Sequence, residues 1–102
     1  MKLNLEEMTI NDDKVFSRLA DYLKRMTTYS NFNDQMPVRV YVNNEKDFTA
    51  FEAVNYKLNF MSSAHKLLDT IKSKYSPEVV TFSEFYNHVL GLEEELPFEF
   101  AR

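Results

Sequence analysis

"FTAFEAVNYKLNF", residues 48–60, is the stretch on which the fold turns. Read with period two, Phe48, Ala50, Val54, Tyr56, Leu58 and Phe60 occupy alternate positions, with only Glu52 breaking the series. Asn55, Lys57 and Asn59 fall between them, which is the pattern of a half-buried strand. Read with the helical period, Phe51, Val54, Leu58 and Met61 make a competing stripe. The alternation runs longer, and Asn-rich stretches make poor helices because the side chain competes for the backbone. The sequence therefore predicts a strand. A partner stands just upstream: residues 38–42, "VRVYV", are a β-branched run after Pro37, and "NNEKD" supplies the turn between the two.

Helical spacing surrounds this hairpin. In residues 12–26 Phe16, Leu19, Ala20, Leu23 and Met26 share one face, while Lys14, Arg18, Asp21 and Arg25 take the other. Asp12 and Asp13 suit the first turn and Lys24 and Arg25 the last, with Asn11 as the N-cap. Residues 62–75 return to helical spacing through Ala64, Leu67, Leu68, Ile71 and Tyr75, with Ser62 or Ser63 as cap and a stop at Ser76-Pro77. In residues 81–90 Thr81 and Glu84 have capping-box spacing, Phe82, Phe85, Tyr86 and Val89 form a face, and Gly91 is placed for a C-terminal cap. "MKLNL" at the N-terminus alternates briefly and reads as a third strand. Residues 27–37, "TTYSNFNDQMP", read as a flexible connection. The expected fold is α+β: a small single domain over residues 1–102, built as helix, β-hairpin (three strands if the N-terminus joins), then two helices packed on one face of the sheet. An acidic, aromatic tail occupies residues 92–102.

Composition narrows the chemistry. With no Cys, disulfides, thiolate catalysis and sulfur-ligated metals are excluded together, and a reducing, cytoplasmic setting is expected. No apolar run suits a signal peptide or a membrane span. A single Gly leaves no phosphate-cradling loop and no Gly-x-Ser-x-Gly elbow. His65 and His88 fall in different segments; neither has a second His three or four positions on, and Asp69, four on from His65, makes a single His–acid pair, so a zinc helix is not expected. An EF-hand ending at Glu84 would place Ser73, Tyr75, Pro77 and Glu78 at its first, third, fifth and sixth positions; Tyr and Pro cannot serve as calcium ligands there. The carboxylate pairs Glu6-Glu7 and Asp12-Asp13 read as solvated. No cofactor, no metal and no catalytic residue is expected, and the sequence argues against an enzyme.

The net charge of −4 is unevenly spread. Residues 14–74 hold ten bases and six acids, whereas residues 75–102 hold one base and six acids. Arg18, Arg25, Arg39, Lys57, Lys66 and Lys72 are the candidates for a nucleic-acid surface, with Tyr29, Phe32 and Tyr41 available to stack on bases. A pI near 5.1 runs against that reading.

The tail "EEELPFEF" carries Glu93, Glu94 and Glu95 ahead of Leu96, Phe98 and Phe100, which makes these six the candidate partner-binding residues. Glu93 to Phe98 resembles the tip of bacterial single-stranded-DNA-binding proteins, where acids precede a terminal Pro-Phe that docks into partner proteins. Here Glu99, Phe100, Ala101 and Arg102 follow, so the family is not assigned. Two other roles suit the same residues: an arm folded on the chain's own core, or an added edge strand.

Fifteen per cent aromatic residues, segregated charge and missing catalytic signatures point to a non-catalytic protein-binding module. A small inhibitor or adaptor acting on a larger intracellular protein is the expectation. The Cys-free, Gly-poor, Asn- and Lys-rich composition is in the style of proteins from AT-rich bacteria and their phages. The alternative is a nucleic-acid-associated regulator using the basic middle segment; a metal-free enzyme ranks third.

Overall fold

The computed structural model describes residues 5–63 and 65–92, and the side chain of Tyr56 is not among the described groups. The fold is mixed α+β. Helices α1 (Asp13–Met26), α2 (Leu68–Lys74) and α3 (Phe82–Gly91) accompany strands β1 (Pro37–Val42), β2 (Phe48–Ala53), β3 (Leu58–Met61) and β4 (Glu78–Thr81). The strands form one antiparallel sheet in the order β3-β2-β1-β4. No helix among the described residues is long and apolar enough to cross a membrane.

Helix α1 forms where its stripe predicts, and Phe16, Leu19, Ala20, Leu23 and Met26 are all buried. Its cap is Asp12, not Asn11. The Asp12 carboxylate accepts from the Lys14 and Val15 amides at 2.8 and 3.3 Å, and its charge suits the helix N-terminus. The Asn11 amide is spent elsewhere, donating to Asp47 Oδ1 at 3.2 Å. Helix α3 begins on the expected capping box: Thr81 Oγ1 accepts from the Glu84 amide at 3.1 Å, and Glu84 Oε1 accepts from the Thr81 amide at 3.3 Å. Gly91 does not act as a left-handed cap. It closes the helix without a positive φ, and Leu92 follows as the C-cap in right-handed helical conformation.

The stretch 48–60 is not one strand. Laid out as a strand it would span about 43 Å, which exceeds the 34 Å long dimension of the molecule. It folds instead as β2, a 3-10 turn at Val54–Tyr56, and β3, with Lys57 in left-handed conformation (φ 56°) at the reversal. Nor do the even positions share a face. Tyr41 pairs with Ala50 but Val42 pairs with Phe48, so Thr49 is an extra residue that shifts the alternation. Phe48, Phe51, Ala53 and Phe60 face α1 and α3, while Ala50 and Glu52 face the opposite side.

Two further expectations change. Residues 62, 63 and 65–67 are not helical: the His65 amide donates to Ser63 Oγ at 3.3 Å and the Lys66 amide to the Ser63 carbonyl. That local turn consumes the intended cap, and α2 starts only at Leu68. Helix α2 also lies on the face of the sheet opposite α1 and α3, because its buried Ile71 packs with Tyr41 and Ala50. Strand β4 was not anticipated; it pairs with β1 from Pro37↔Thr81 to Val40↔Glu78. Residues 1–4 of the expected N-terminal strand lie outside the described residues. Leu5–Glu7 is a 3-10 turn, and Thr9 bridges to Asp47 instead. Residues 27–36 of the expected connection are a run of turns, pinned by buried Met36 and by Phe32, whose ring lies 4.9 Å from that of Phe82, and Pro37 already opens β1.

Candidate functional site

The ladder registers set one row of side chains across all four strands. Glu52 opposes Asn59 on β3 and Arg39 on β1, and Arg39 opposes Val79 on β4. Partners in a ladder point to the same face, so Asn59, Glu52, Arg39 and Val79 line up on the α2 side. With strands about 4.8 Å apart, the row is about 14 Å wide. The neighbouring row, Met61, Ala50 and Tyr41, is the one α2 covers through Ile71, Leu68 and Tyr75. Helix α2 meets the open row through Lys72, whose ammonium reaches Glu52.

The centre of the open row is Glu52. Its Oε1 lies 3.5 Å from Arg39 Nη1 and 3.5 Å from Lys72 Nζ, which reaches down from α2. The Glu52 side chain is 17% exposed, against 39% for Arg39 and 38% for Lys72. Both cations therefore keep donors in water while sharing one carboxylate oxygen, and that oxygen has no hydrogen bond among the described residues. Burial pushes the Tyr41 phenol above its ordinary pKa, and the Glu52 charge adds to the rise while Lys72 and Arg39 oppose it. Val79, 52% exposed, continues the row as apolar surface, and Leu67, 70% exposed, precedes α2.

The sheet edges are less available than this face. Ser62 donates to Thr49 and Phe82 to Met36. Alternation along the ladders then turns the backbone groups of Asn59 and Met61 outward on β3, and those of Val79 and Thr81 outward on β4. Arg18 Nη2 lies 3.5 Å from the Met61 carbonyl. Pro77 has no amide to offer, and the Thr81 amide serves the Glu84 cap. Such blocking is how natural sheets resist strand addition.

Of the six cations expected to form a nucleic-acid surface, Arg39 and Lys72 meet at Glu52. Arg18 and Arg25 do not join them. They lie on α1, over the rings of Phe60 at 5.0 Å and Tyr22 at 5.9 Å, where the guanidinium gains from the ring face. Burial also pushes the Tyr22 phenol up, with Tyr29 adding to the rise and Arg25 opposing it. Lys57 stands at the β2–β3 reversal and Lys66 in the turn before α2. The tail residues Glu93, Glu94, Glu95, Leu96, Phe98 and Phe100 lie outside the described residues.

Two concavities flank β4. One, of about 360 Å³, is lined by Val40, Val42, Lys74, Tyr75 and Glu78 among others. The other, of about 500 Å³, gathers Glu6, Glu78, Glu84 and His88. Glu84 is occupied by the helix cap and the His88 ring lies 3.4 Å from the Met8 carbonyl. Among the described residues no three His, Cys, Asp or Glu are grouped as metal ligands. Sequence reasoning missed Val79 and Glu52. The one signal for Glu52 was its interruption of an apolar series. No family model matches the chain, and neither a curated protein nor a solved structure matches it.

Proposed function

We propose that this chain is a non-catalytic protein-binding module, a small inhibitor or adaptor that acts in the cytoplasm on a larger protein. The observation that carries the reading is the open row on the α2 face, where exposed Val79 adjoins two half-exposed cations held by one half-buried carboxylate. Interfaces combine an apolar anchor with a polar surround in this way. The blunted edges favour recognition by side chains over strand addition. The acidic, aromatic tail is a second candidate contact on the strength of its sequence. A phage source fits the composition and belongs to the same proposal.

The test is affinity capture from a bacterial lysate with the immobilised full chain, compared with a Val79→Asp variant. A specific protein should be retained by the parent and lost by the variant while the thermal melts agree. Retention on immobilised duplex DNA that falls steeply with salt would instead support the nucleic-acid reading. Equal capture by parent and variant would remove the open row from the proposal.

A further inference from the structure

We infer that the open row takes an acidic segment of the partner protein, whose carboxylates displace Glu52 from Arg39 and Lys72 while an apolar side chain rests on Val79. This inference rests on the protein-binding reading above and names the chemistry of the partner. Two observations select acid over base. First, two cations share a single oxygen of Glu52, each at 3.5 Å, so the cluster carries one positive charge in excess. A guanidinium has five N–H donors and an ammonium three, and one carboxylate oxygen cannot engage them all. Second, both cations are more than twice as exposed as the acid that holds them, 39% and 38% against 17%. An incoming carboxylate meets the cations first, and Glu52 lies behind them. A basic or neutral segment would have to reach Glu52 past Arg39 and Lys72. Val79, directly opposite Arg39 on the neighbouring strand, sets the spacing: an acid and an apolar side chain on the ligand need to sit within one or two residues of each other.

Glu52 acts in this scheme as an internal stand-in for the ligand. That makes a prediction which a purely structural ion pair does not. Removing the charge of Glu52 should strengthen binding, because the competitor is gone and both cations lose their carboxylate.

The probes are two synthetic hexapeptides, Glu-Glu-Leu-Glu-Glu-Leu and its Gln-Gln-Leu-Gln-Gln-Leu counterpart, both capped at their ends. They are titrated into the full-length protein at low salt and followed by amide NMR shifts. The acidic peptide should shift the amides of Arg39, Val79 and Glu52, and the neutral one should bind at least tenfold more weakly. Glu52→Gln should raise affinity for the acidic peptide severalfold, and Arg39→Gln/Lys72→Gln should lower it tenfold or more, with each protein shown to be folded by its own amide spectrum before titration. Equal binding of the two peptides, or no gain from Glu52→Gln, overturns the inference. If the captured partner nevertheless depends on Val79, the protein-binding reading stands and only the acidic chemistry fails. If shifts appear instead around Arg18 and Lys57, the anionic contact belongs to the β3 side and the open row is not the site.

Discussion

On one face of the sheet α1 and α3 bury Phe51, Phe85, Leu19 and Leu23 completely, within a cluster of eighteen buried residues among those described. On the other, α2 buries Ile71 over Tyr41 and Ala50 and leaves the next row to water. The two faces belong to the same strands, so strand propensity does not explain the difference. The helices do. Helix α1 has fourteen residues and a carboxylate cap, and α3 has ten and a capping box; α2 has seven and no side-chain cap. Two long capped helices close one face into a core, and a short uncapped one leaves the other face half finished. Unfinished surface at the centre of an ordered sheet is rigid and accessible together, a combination suited to recognition.

The sharpest way to break this comparison is a cavity on each face. Phe51 contacts the rings of both Tyr22 and Phe85, at 5.9 and 5.2 Å between centroids. Phe51→Ala should cost about 3–5 kcal/mol, read by denaturant unfolding. Ile71→Ala removes the keystone of the smaller cluster and should cost about 2 kcal/mol, the low end for a buried Ile, since solvent stands close by. An equal loss at both sites would show that the α2 face is as tightly built as the other. Next in size is the cap that lets α3 close its face. Thr81→Ala removes the acceptor for the Glu84 amide and should cost about 1 kcal/mol, seen as a lower melting temperature.

The contrast also shows in what could be read from sequence. Helices α1 and α3 were legible because their stripes are long and their ends carry side-chain caps within three residues. The α2 face was not. Strand β4 is four residues between Pro77 and a helix cap, too short for alternation to register. The phase of β2 changes at Thr49, and the turn before β3 depends on Lys57 adopting a left-handed conformation, which Lys disfavours and no spacing announces. Ser63 looked like a helix cap, yet it closes a separate turn. Arg39 and Lys72 were singled out as cations, but nothing in their separation brings them to Glu52. Sheet register and the position of α2 do that, and both are tertiary.

Tyr41 extends the comparison to pH. It is buried beneath α2, and burial together with the Glu52 charge raises its pKa above the ordinary 10.0. The unfolded chain therefore ionises first. The stabilisation from this phenol is complete below pH 10.0 and is lost as the pH climbs from there toward the folded-state value. Tyr41→Phe has no proton to lose, so its stability should fall less between neutral pH and the alkaline range than that of the parent, when both are followed by chemical denaturation. Parallel decline would show that Tyr41 is not the group responsible.

The smallest expected change in stability is the one that bears most on function. Val79 is exposed, its side chain stands at the end of the row, and no core residue leans on it. Val79→Asp should therefore alter unfolding by no more than about 0.5 kcal/mol, as for other surface substitutions. The new carboxylate lies opposite Arg39, in the adjacent position of the β1–β4 ladder, where a cross-strand pair of opposite charges contributes a few tenths of a kcal/mol. That gain offsets part of the lost β-propensity of Val. Binding should respond in the opposite sense, because the substitution removes the apolar contact and gives Arg39 a second internal acid. A variant that melts with the parent yet no longer captures the partner would separate recognition from folding at a single side chain. A large loss of stability would mean that Val79 belongs to the packed interior after all, and that the two faces of the sheet are less different than their helices suggest.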